Sequence, residues 1–162
     1  MVDAYQDITI PFQMSSVEFF RLVKEHLTED GVMVVNMNMR GSQEGNIDQY
    51  LADTIASVFD TVYTVDVMGS TNRELFASSS LDILEVMKRN LEKTEDSELY
   101  GMIDWVAFRL EAYQAGNYKM TDDQAPVEVL GMKVIDELIG EEVEYYRAIF
   151  EERGIRGLLE EM

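Results

Sequence analysis

A chain of 162 residues with 46% hydrophobic and 10% aromatic content is long enough to bury one core and too apolar to be disordered. Its net charge of −19 excludes nucleic-acid binding through a basic surface and disfavours anionic membrane surfaces, while the lack of cysteine excludes disulfides, thiolate nucleophiles and Cys-based metal sites. With no basic segment ahead of an apolar run and no apolar stretch near the ~20 residues of a membrane helix, the expectation is a cytoplasmic protein without nucleic-acid or membrane partners.

In chain order, Val2-Asp3-Ala4-Tyr5-Gln6-Asp7 reads as the tail of a strand followed by a polar turn. A helix follows from about Ser15 to Glu29, with apolar positions at Val17, Phe20, Val23 and Leu27. Ser15 and Glu18 have the spacing of a capping box. Gly31 turns the chain into Val32-Met33-Val34-Val35, a continuous apolar run of the kind found in a strand covered on both faces. Strand tail, crossover helix and buried strand together predict a βαβ unit of a parallel sheet. Asn36 and Asn38 then fall at the carboxyl end of that strand, the side of an open α/β sheet on which ligands bind.

After the loop Gly41-Ser42-Gln43-Glu44-Gly45, Asn46 is placed to cap a helix whose inward stripe includes Ile47, Leu51, Ile55 and Phe59. Strands are predicted from Thr61 to Val67 and from Arg73 to Ser79; the short turn between them makes the pair antiparallel. From Leu81 onward the pattern is helical. One stripe runs from Leu81 to Leu91 and a second from Tyr100 to Leu110. Beyond the polar loop Thr121 to Glu128, a helix is expected through about Ile139 and a last one from Glu141 to about Glu152. The predicted class is α/β, a mixed sheet with parallel strands first and an antiparallel pair last. Residues 1–80 form the sheet part and residues 81–162 a helical extension packed on it.

Several of these segments together resemble the spermidine synthase-like family, Rossmann-fold relatives of the aminopropyltransferases and the S-adenosylmethionine-dependent methyltransferases. They are Val2-Asp3-Ala4-Tyr5, Ile10-Pro11-Phe12, Glu18-Phe19-Phe20, Gly31-Val32 with Asn36, Asn72-Arg73 and Ala77-Ser78-Ser79, and Thr121-Asp122-Asp123 with Ala125-Pro126-Val127-Glu128. They occur in the family's order and cover nearly the whole chain, but match only its C-terminal half. The resemblance implies a partial Rossmann-like sheet of the methyltransferase type. It also implies an active-site carboxylate at Asp3, which helps deprotonate the attacking amine, and substrate contacts from Tyr5, Asp7, Asp122 and Asp123. Asp3 and Asp7 are separated by Ala4-Tyr5-Gln6, one residue more than in the family's Asp-Ser-Ser-Asp.

The first half of the family carries a glycine-rich turn and an acidic residue for the ribose hydroxyls. Gly41-Ser42-Gln43-Glu44-Gly45 has neither the spacing nor the first-strand context of such a turn. The isolated chain is therefore expected to hold no cofactor and to be inactive alone. S-adenosylmethionine or its decarboxylated form enters only if another polypeptide supplies the missing half. A non-catalytic interaction module is the alternative. The bland readings are that Asp3 and Asp7 solvate a loop and that Asp122 and Asp123 serve a helix start. His26, the one histidine, reads as a surface residue, and no acidic spacing indicates a metal. The sheet edge left open by the absent strands predicts a homo-oligomer.

Overall fold

The computed structural model describes residues 1, 10–38, 40–41 and 43–161. The expected first strand at Val2 to Asp7, with Asp3, Tyr5 and Asp7, lies outside the described residues. After a 3-10 turn at Phe12–Met14 come α1 (Val17–His26), β1 (Val32–Met37), α2 (Ile47–Ala56), β2 (Thr61–Asp66) and β3 (Arg73–Ser78). These are followed by α3 (Ile83–Leu91), α4 (Ser97–Arg109), β4 (Glu111–Ala112) and α5 (Val127–Glu161).

The α/β class holds, but the strand pairing differs from the expectation. The sheet order is β1-β3-β2-β4, and every pair among the described residues is antiparallel. The β2–β3 hairpin forms as its short turn requires. β3 pairs with β1 as well as with β2, and the strand expected to run parallel beside β1, at Val2 to Asp7, lies outside the described residues. Because β3 is antiparallel to both, β1 and β2 run in the same direction with β3 inserted between them. The crossover β1–α2–β2 therefore joins two strands of like direction that share no hydrogen bond.

Register decides which side chains meet. Met33, Val35 and Met37 of β1 stand beside Ala77, Leu75 and Arg73 of β3, and these beside Val62, Thr64 and Asp66 of β2. This face is the buried one, and Phe20 of α1, Leu51 and Ile55 of α2, and Val127 and Val134 of α5 complete its core. Burial in β1 alternates, and Val32 at its start is 38% exposed. The apolar run is thus not a doubly covered strand. Its second face, with Val32 and Phe76, meets Ile83, Val86 and Met87 of α3 and Ile103 of α4, which cover it loosely.

Capping also departs from the expected box. Ser16, not Ser15, caps α1 and accepts from the Phe19 amide at 3.2 Å, while the Ser15 hydroxyl donates to the Phe12 carbonyl at 2.8 Å. Asn46 caps α2 as its position indicates, accepting from the Gln49 amide at 2.9 Å. Toward the end of the chain, α5 continues through Gly140, where a break was expected. The helix is interrupted at Gly154, which adopts φ 63°, a left-handed conformation that glycine reaches without a Cβ penalty. The chain after Leu81 also holds one strand, β4, too short for its two residues to show any periodicity. The Tyr113 amide extends it by donating to the Val62 carbonyl at 2.8 Å.

Candidate functional site

Four charged residues far apart in sequence meet at the carboxyl ends of β1 and β2. Arg40 follows β1, Asp48 lies in the first turn of α2, Asp66 is the last residue of β2 and Arg73 the first of β3. The hairpin register sets Asp66 opposite Arg73. Arg73 Nε donates to Asp66 Oδ1 at 2.6 Å, and Arg40 Nη1 lies 2.6 Å from Asp66 Oδ2. The hydrogen bond from Arg73 holds the Asp66 carboxyl below its ordinary range, and the same bond raises the Arg73 guanidinium. One carboxylate thus fixes two guanidiniums.

Asp48 is placed differently. It is 4% exposed, and its Oδ2 is buried with no hydrogen-bond partner among the described residues. Burial pushes its pKa up to about 6 against the opposing pull of Arg73 and Arg40.

Arg40, Asp48 and Arg73, with Asp66 behind the two arginines, border a cavity of about 660 Å³ that the first three line, within the range of small-molecule sites. Its walls carry four carboxylates, Glu44, Asp48, Glu137 and Glu141, against two guanidiniums, Arg40 and Arg73. Since Asp66 already offsets one guanidinium, the lining favours cations. Leu138 and Tyr113 add apolar surface. The Tyr113 hydroxyl donates to Asp53 Oδ1 at 2.7 Å, and burial followed by this bond raises the phenol well above its ordinary value.

Asp53 organises the loop that reaches this cavity. It is 1% exposed and accepts from Tyr113, from the Gly116 amide at 2.8 Å and from the Tyr118 amide at 3.0 Å. A Cβ at position 116 would collide with the Asp53 carboxylate, so the close approach requires glycine. Beside it, Thr54 Oγ1 accepts from the Met120 amide at 3.0 Å.

The residues singled out from the sequence fall elsewhere. Asp122 accepts from the Ser16 hydroxyl, and its amide donates to Glu18 Oε2 at 3.1 Å, so it ties the 121–124 turn to the start of α1. Asp123 is exposed on that turn. Neither lines the cavity at the strand ends. His26 is exposed, with its Nδ1 2.7 Å from the Leu22 carbonyl. Asn36 lies at the carboxyl end of β1, where its Oδ1 accepts from Asn72 Nδ2 at 3.2 Å. Sequence reading missed Arg40, Asp48, Asp66 and Arg73. The rule that ligands bind at strand carboxyl ends, applied to every polar residue just past a strand, points toward them.

Among the described residues no His, Cys, Asp and Glu group is arranged to hold a metal, and no helix is long and apolar enough to cross a membrane. No family model matches the chain. It is 46% identical, over 176 aligned positions, to a curated protein of Bifidobacterium longum named "Probable polyamine aminopropyl transferase". The match takes in 98% of this chain and 40% of that protein. The chain therefore spans less than half the length of its relative. Over almost its whole length, the chain is homologous to part of a spermidine synthase-like protein, the family its sequence motifs resemble.

Proposed function

We propose that these residues form the acceptor side of an aminopropyl transferase site, the side that binds a polyamine. The cavity at the strand carboxyl ends carries this reading, because its lining has more carboxylates than guanidiniums and suits an aliphatic cation. The name of the similar protein supports the reaction class. The arrangement of β1 and β2 in one direction with β3 inserted antiparallel supports a partial Rossmann-like sheet of the methyltransferase type. The aminopropyl donor, decarboxylated S-adenosylmethionine, is held by a glycine-rich half that lies outside these residues.

In this reaction the amine lone pair attacks the carbon bound to the sulfonium. The carbon–sulfur bond breaks, sulfur keeps the pair as a thioether, and the amine proton passes to a carboxylate. By family resemblance that carboxylate is Asp3, with Tyr5 and Asp7 as substrate contacts; Asp122 and Asp123, which the resemblance also implies, do not line this cavity. The outer edge of β1, which pairs only through β3 among the described residues, is where a further strand adds, from the same polypeptide or a second copy.

The test is product formation. Assayed together with the nucleoside-binding half, these residues yield spermidine and 5′-methylthioadenosine in equal amounts from 1,4-diaminobutane and decarboxylated S-adenosylmethionine. Asp3→Asn lowers the rate at least about a hundredfold. No product from folded protein rejects the reading. The 162 residues by themselves bind no 5′-methylthioadenosine in calorimetry, and micromolar binding would reject the proposed division between the two halves.

A further inference from the structure

We infer that Asp48 receives an ammonium group of an α,ω-diamine in the cavity at the strand ends, an assignment that rests on the polyamine reading above. Nothing in the fold requires a carboxylate there. The start of α2 is already capped by Asn46, which accepts from the Gln49 amide, so the helix start does not rely on the Asp48 side chain for its cap. Asp48 is instead 4% exposed, lines the cavity, and leaves Oδ2 without a partner among the described residues. A buried carboxylate in that state is costly unless something binds it.

The two nearby guanidiniums are engaged elsewhere. Arg40 and Arg73 both form their ion pairs with Asp66, at 2.6 Å each, and neither makes one with Asp48. Glu141, on α5, supplies a second carboxylate of the lining for the other end of the ligand. A monoamine can use one of these ends, and a diamine both. An inorganic anion would meet the Asp48 carboxylate and is rejected.

The experiment is calorimetry of wild type and Asp48→Asn with 1,4-diaminobutane and with 1-aminobutane, alongside thermal melts of the free proteins. Asparagine keeps the shape and removes the charge. The expected result is diamine binding by the wild type, tighter than monoamine binding. In D48N the diamine affinity falls at least about tenfold, as expected on losing a charged hydrogen bond. The melting temperature of D48N stays the same or rises, because an unpaired buried charge has gone. A fall in melting temperature would mark Asp48 as structural and overturn the inference. Equal diamine binding by both proteins overturns it and leaves the transferase reading standing. No diamine binding by the wild type at millimolar concentration also overturns it, and the transferase reading is then judged by its own product assay.

Discussion

α2 and α3 are helices of ten and nine residues with amphipathic patterns of the same kind, yet seven residues of α2 are buried and none of α3. The difference lies in what surrounds them. α2 packs on the sheet, on α1 and on α5, and its Asp53 and Thr54 fasten the loop that leads from β4 toward α5. α3 packs on α4 and lies loosely over the second sheet face. An apolar stripe therefore says that a helix has a face to cover; the rest of the chain decides whether it is covered.

Substitutions test this contrast directly. Leu75→Ala, at a side chain with no exposure between β1 and β2, is expected to cost about 2–5 kcal/mol in urea unfolding. Asp53→Ala should cost about 3–5 kcal/mol, since it strands the Gly116 and Tyr118 amides and the Tyr113 hydroxyl. A cost below 1 kcal/mol for either, on the order of a surface change, would erase the distinction between the α2 side and the α3 side.

Asp48→Asn works in the opposite direction. The folded pKa of about 6 lies above the ordinary 3.8, so the group favours the folded state below about pH 4 and loses that contribution as pH rises through 6. The variant should therefore be more stable than wild type by roughly 3 kcal/mol at pH 8, with the gain gone near pH 3.5. Unfolding curves across that range check both the sign and the window. Gly116→Ala comes next, at about 1–3 kcal/mol, because its Cβ meets the Asp53 carboxylate. The smallest effect belongs to the α4 surface. Leu99, 43% exposed, should change stability by less than about 0.5 kcal/mol on replacement by alanine. A loss comparable to that of Leu75→Ala would show that this surface is covered in solution.

Local features were legible in the sequence. The stripe from Val17 to Val23 marks α1, Asn46 marks the start of α2, and the turn after Val67 marks a hairpin. Each depends on neighbours within a few residues. The insertion of β3 beside β1 was not legible, since Val32 and Ser78 become partners across a separation that no periodicity records. The same holds for the site. Arg40, Asp48, Asp66 and Arg73 each look like an ordinary loop or terminal residue, and only the ends of three strands and a helix bring them together. The Ser15 and Glu18 spacing misled by one residue because the 3-10 turn at Phe12–Met14 engages the Ser15 hydroxyl first. Gly140 misled because a lone glycine weakens a helix without ending it, whereas Gly154 takes up the left-handed conformation that does.

The insertion of β3 also imposes an order of assembly. β1 and β2 leave the ribosome before β3, and in the folded sheet they share no hydrogen bond, because β3 lies between them. The hairpin closes through a short turn, so β2 and β3 associate locally and early. β1 docks only once residues 73–78 exist, closing a much longer loop. Until then its Met33, Val35 and Met37 remain without the sheet that buries them. A nascent chain stopped after Asp66 carries β1 and β2 without the strand that joins them, so the facing edges of both lack their native partner.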